Sequence, residues 1–171
     1  MALTVPRTWV AADVPTPTQL TDHISQNFLG LRHAKSIQSE EAVVNTSTAF
    51  ESLTGLSFKV KAGETWVFLA SVYFVTNAFA DAKFTVQAPV GSTGRFGVLH
   101  SGPTNLSHST VFGDPVTISV DATDQEMATV VGLVVAGADG VVQIQGSQLT
   151  STAVNTSFWQ DSPIVAFRMV A

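Results

Sequence analysis

One segment limits what this chain can fold into more than any other. Residues 65–76 read Thr-Trp-Val-Phe-Leu-Ala-Ser-Val-Tyr-Phe-Val-Thr, an uncharged run with apolar side chains at odd and even positions alike. In a strand, successive side chains point to opposite faces. Trp66, Phe68, Ala70, Val72 and Phe74 therefore share one face, and Val67, Leu69, Tyr73 and Val75 share the other. Burial on one side does not account for both sets. In an antiparallel sandwich one face meets the second sheet, and the other is expected to meet another subunit. Val67, Leu69, Tyr73 and Val75 are accordingly the expected subunit-interface residues.

The surrounding chain has the same period. Leu56, Phe58 and Val60 alternate with Ser57 and Lys59 before a turn at Ala62-Gly63-Glu64, and further strands are expected over 83–88, 94–99, 116–120, 129–136, 141–145 and 164–170. Turn residues recur every ten or so positions, the pattern of an all-β sandwich, and seven to ten strands in this length suggest a jelly roll. No repeat of fixed period is present. Residues 46–171 are thus expected to form one antiparallel β-sandwich domain.

Residues 1–45 read differently. Pro6, Pro15 and Pro17 break up the opening, and Thr16-Pro17-Thr18-Gln19 forms a capping box with proline at the first helical position. Leu20, Ile24, Phe28 and Leu31 then recur at helical spacing to about Ala34, which predicts one short α-helix after an extended arm. Leu20, Ile24, Asn27, Leu31 and Ala34 also fit a short heptad seam with Asn27 as a polar register residue. The helix interface is therefore assigned to Leu20, Ile24, Asn27, Phe28 and Leu31, docking on the chain's own sheet or on copies of itself. Val5, Trp9, Val10 and Val14 lie in the arm with little nearby sequence to cover them, and are the expected attachment residues.

Composition excludes several classes. Only 12% of the 171 residues are charged while 45% are hydrophobic, which points to surface hidden in an assembly. The net charge of −5 and the absence of a basic cluster argue against nucleic acid and anionic membranes as partners. Mean hydropathy is +0.28, yet the longest apolar stretch, residues 130–138, is interrupted by glycines and far too short for a membrane span. The first ten residues lack the basic start and apolar core of a signal peptide, so export by the general route is not expected. With no cysteine there is no disulfide, thiolate nucleophile or Cys-based zinc site.

The search for chemistry finds little. His23 and His33 fall on the expected helix, and His100 and His108 flank a polar stretch expected to be an exposed loop, with no third ligand before Asp114. Asp121, Asp124 and Glu126 make an acidic turn without the calcium-loop pattern. No nucleophile elbow or phosphate-binding glycine loop occurs. No cofactor, metal or catalytic residue is assigned, and the chain is expected not to be an enzyme. Exposed aromatics leave stacking on a host glycan as the one small-ligand chemistry in view.

The run Arg7-Thr8-Trp9-Val10-Ala11-Ala12-Asp13-Val14-Pro15-Thr16-Pro17-Thr18-Gln19-Leu20, followed by His23-Ile24, Asn27-Phe28-Leu29 and Leu31, resembles a segment at the start of many small structural proteins of tailed bacteriophages. That segment runs roughly Arg-Thr-Trp-x-x-Gly-Glu-x-x-Thr-x-x-x-Leu-Asn-x-x-Ile-Arg-Asp-Asn. This chain has Ala12 for the glycine, Asp13 for the glutamate, Thr21 for the first asparagine and Ser25-Gln26 for Arg-Asp. Leu56-Ser57-Phe58, Ala62-Gly63-Glu64-Thr65-Trp66, Asp81-Ala82-Lys83-Phe84 and Ala88-Pro89 with Gly91, Gly94 and Arg95 extend the likeness over about two-thirds of the chain. The resemblance implies a non-enzymatic virion component, assembled in the host cytoplasm, with a tumour-necrosis-factor-like jelly roll that often trimerises. It implies either a capsid decoration or head-appendage protein whose arm binds the major capsid protein or another virion protein, or a tail or baseplate protein whose loops over 91–114 touch the host surface.

Overall fold

The computed structural model describes residues 33–100, 106–120 and 125–169, and the regular elements within them are all strands. In chain order these are β1 (His33–Ile37), β2 (Ala42–Val44), β3 (Glu51–Val60), β4 (Thr65–Val75), β5 (Ala82–Gln87), β6 (Thr93–His100), β7 (Leu106–Ser109), β8 (Val116–Ile118), β9 (Gln125–Val135), β10 (Gly140–Gln148), β11 (Thr156–Phe158) and β12 (Pro163–Met169). One sheet has the order β1-β12-β4-β9-β6-β7, with β11 joining β4 to β2, and the other has the order β3-β10-β5-β8. Every pairing is antiparallel.

From β3 to β6 and again from β7 to β11 the chain passes back and forth between the sheets, and the two four-strand sets β1-β12-β4-β9 and β3-β10-β5-β8 face each other in jelly-roll order. The fold is thus the expected antiparallel β-sandwich, with β6 and β7 extending the larger sheet past β9.

The core lies between the sheets and follows the period-two pattern. Trp66, Phe68, Ala70, Val72 and Phe74 of β4 are all buried, opposite Leu56, Phe58 and Val60 of β3, Phe84 and Val86 of β5, and Val142 and Ile144 of β10. Phe74, Phe84 and Phe158 form an aromatic cluster, with edge-on pairs at 5.7 and 5.6 Å and Phe74 stacked on Phe158 at 6.1 Å. Gly146 has no side chain because the Phe158 ring occupies that space: an added Cβ would lie 2.6 Å from its Cζ.

Two expectations are revised. The boundary at 45/46 and the helix end at Ala34 both fall inside the sandwich, since β1 pairs along β12 from His33↔Phe167 to Ile37↔Pro163 and β2 pairs with β11. The inward positions of β1 are the small Ala34 and Ser36, which carry no apolar signal, and the polar Gln38 beyond them is fully buried. Its side-chain amide donates to the carbonyls of Glu40 and Phe158 at 2.8 and 2.9 Å. The second revision concerns His100, which lies in β6 and is buried against the Phe74 ring, with Nε2 3.0 Å from Glu126 Oε2; His108 is exposed on β7. The arm residues Val5, Trp9, Val10 and Val14 and the helix residues Leu20, Ile24, Asn27, Phe28 and Leu31 lie outside the described residues, as do Asp121 and Asp124.

Candidate subunit interface

The odd-numbered residues of β4 lie on the outer face of the larger sheet. Leu69 and Tyr73 are 44% and 41% exposed, and Val67 and Val75 are half-buried. The structure thus brings the four expected interface residues onto one open face.

The neighbouring strands continue that face in register. Phe167, Val67, Leu133 and Arg95 form one row across β12, β4, β9 and β6. The next row is Val165, Leu69, Val131 and Gly97, with Lys35 at its β1 end and His108 at its β7 end. Met169, Thr65, Val135 and Thr93 flank these rows on one side; Ser71, Thr129 and Leu99, then Tyr73 and Met127, flank them on the other. Phe167, Met169 and Met127 are 55%, 54% and 46% exposed. These side chains are contiguous across three strands, and a contiguous exposed apolar face, unlike singly scattered apolar residues, marks an interaction site.

Charge is confined to the borders. Among the described side chains of these rows, Lys35 on β1 and Arg95 on β6 are the formally charged groups, with His108 beside Arg95. The single charge in β12, Arg168, points the other way: Nη1 donates to Glu64 Oε1 at 3.0 Å, while Glu64 Oε2 accepts from Trp66 Nε1 at 3.1 Å and the Lys61 N–H at 3.0 Å. Burial pushes the Glu64 carboxyl up, but the hydrogen bonds from Lys61, Arg168 and Trp66 and the Arg168 charge together hold it below its ordinary value. Strand alternation puts Arg168 on the inner side beside Trp66, where this knot satisfies its charge, and puts Phe167 and Met169 on the outer face.

The face also has relief. At Gly97 no side chain fills the row, and an open groove of about 450 Å³ lies there, walled by Val67, Val131 and Leu133 and rimmed by Arg95 and His108. Among the described residues no group of three or more potential ligands converges on a metal site.

Sequence reasoning identified the β4 part of this face and missed the rest. Val165, Phe167 and Met169 alternate with Ile164 and Ala166, the same two-faced pattern as β4, and 130–135 is an apolar run with one glycine. Reading both as two-faced strands would have outlined the whole surface.

No family model matches the chain. No curated protein matches it. Among solved structures, it is similar to VP2 of infectious bursal disease virus: a subviral particle of VP2 is matched at 11% identity and TM-score 0.23, over 82% of this chain and 37% of that one. The D431N mutant VP2 in T=1 particles is matched at 9% identity and TM-score 0.21, over 82% of this chain and 36% of that one. The chain thus spans little more than a third of the VP2 chains it matches.

Proposed function

We propose that this protein is a non-enzymatic structural component of a tailed-phage virion, a capsid decoration or head-appendage protein that assembles as a homotrimer through the outer face of the larger sheet. The observation that carries the reading is the uncharged apolar face built by β12, β4 and β9, which a lone protomer would leave in water. In this reading the sandwich supplies self-association, and the arm with Val5, Trp9, Val10 and Val14 supplies attachment to the major capsid protein or another virion protein. The resemblance of residues 7–31 to the opening of small phage structural proteins supports the virion role, and the low charge of the chain supports an assembled state.

The test is direct. Negative-stain images of virions labelled with antibody to this protein are expected to show label over the head. Label along the tail or at its tip would replace the decoration reading with a tail or baseplate protein whose loops contact the host surface, a host glycan among the targets. Absence of label from virions would remove the virion reading altogether.

A further inference from the structure

The groove at Gly97 and the exposed ring of Phe167 lie on opposite sides of the same face, and their positions along the strands correspond. Phe167 is in register with Val67, Leu133 and Arg95, and the last three line the groove. A rotation axis running with the strands keeps every residue at its level while turning one copy's β12 side toward another copy's β9–β6 side. Such a rotation sets the ring of one copy against the groove of the next. We propose that the groove is the seat of Phe167 from a second copy of this chain, so that one aromatic side chain and one missing side chain form the central contact of the assembly; this rests on the self-association reading above.

Three observations favour a second copy as the occupant. The groove is walled by Val67, Val131 and Leu133, which offer an aromatic ring apolar contact on its faces. Its rim carries Arg95 and His108 with no carboxylate among the lining residues, and a guanidinium beside an aromatic ring is a favourable cation–π arrangement. The groove also lies within the apolar face rather than apart from it, so covering the face covers the groove. An interface of ordinary size buries roughly 800 Å² on each partner, so the contact is expected to extend from Phe167 and Gly97 over the rows between them and their borders. Aromatic side chains seated in desolvated pockets are where binding energy concentrates.

The chain has no cysteine, so an engineered pair reports proximity without background. The full-length single variants Phe167→Cys and Val131→Cys are prepared, checked for folding by circular dichroism, unfolded and refolded together so that mixed oligomers form, and exposed to a mild oxidant. The expected result is a disulfide-linked species of twice the chain mass that forms in the mixture and far less with either variant alone, together with a weakening of self-association by about tenfold or more in Phe167→Ala. Within one chain residues 131 and 167 sit two strands apart, about 10 Å at ordinary strand spacing, beyond what a disulfide bridges. An oligomer of unchanged mass that gives no mixed disulfide overturns the Phe167 seat while leaving self-association standing. A monomer in sedimentation overturns both. A Phe28→Cys, Val131→Cys double variant that links within one chain, with no link from 131 to 167, shows that the chain's own N-terminal segment fills the groove and overturns the proposal.

Discussion

The two sheets bury equivalent inner faces but present opposite outer ones. On the smaller sheet the outward positions are Ser57 and Lys59 of β3, Gln143 and Gln145 of β10, Lys83 and Gln87 of β5 and Thr117 of β8, with Val141 the aliphatic exception. On the larger sheet the corresponding positions hold Val67, Leu69, Tyr73, Met127, Leu133, Val165 and Phe167. Both sheets alternate with period two, and both meet the same core. The difference therefore says nothing about how the sandwich folds and everything about which side is meant to be covered. A polar outer face is finished in water; an apolar one is, in the proposed reading, covered by another copy.

The sharpest way to break the comparison is to make the larger face resemble the smaller one. Leu69→Glu places a carboxylate at the centre of the apolar rows. If the face is an interface, the buried, unpaired charge should cost about 3–5 kcal/mol of association and leave folded monomers, read by sedimentation alongside circular dichroism. An unchanged oligomer would mean the face is not the contact.

Next in size is the separation of assembly from attachment. Trp9→Ala should lose roughly 2 kcal/mol of binding to virions lacking the protein, about a thirtyfold weakening, with the oligomeric mass unaltered. A loss of oligomer in this variant would place the arm within the self-association surface instead.

A smaller effect is expected from the knot that joins Glu64 to Arg168, Trp66 and the Lys61 N–H. Because the Glu64 carboxyl is held below its ordinary value, its contribution to folding is present above the unfolded-state value and is lost as the pH falls through the folded one. Thermal melts should thus show the wild type losing its advantage over Glu64→Gln as the solution is acidified below the ordinary glutamate range. A difference that stays constant across that range would contradict the linkage. The smallest change should come from Thr117→Glu on the smaller sheet, which should shift stability by no more than about 0.5 kcal/mol and leave the oligomer intact.

How much of this was legible beforehand depends on the type of residue. The core strands announce themselves: Trp66 through Phe74 alternate without a charge, and the expected ends of β4 and β12 fall within a residue of the observed ones. Strands β1, β2, β7 and β11 escape because they are only three to five residues long and carry at most one large apolar core residue each, Val44 in β2 and Phe158 in β11, too few to show an alternation. Thr156 is fully buried with its hydroxyl 2.7 Å from that of Thr76, and Ser157 is 8% exposed, so neither gives a hydrophobic signal. Gln38 and Gln148 likewise sit inside, their side-chain N–H groups donating to the carbonyls of Phe158 and Val154, while the buried Gln38 Oε1 has no partner among the described residues. The site divides in the same way. Four of its residues share one strand and could be read together, whereas Phe167 and Gly97 are brought into one surface by pairings that join β12 to β4, β4 to β9 and β9 to β6.

The account stands on the larger sheet's outer face being covered by copies of the same chain, and the mass of the isolated protein tests this directly. Sedimentation equilibrium at micromolar concentration is expected to give three times the 18.0 kDa of the chain. A mass of one chain, with the sandwich folded, would contradict it.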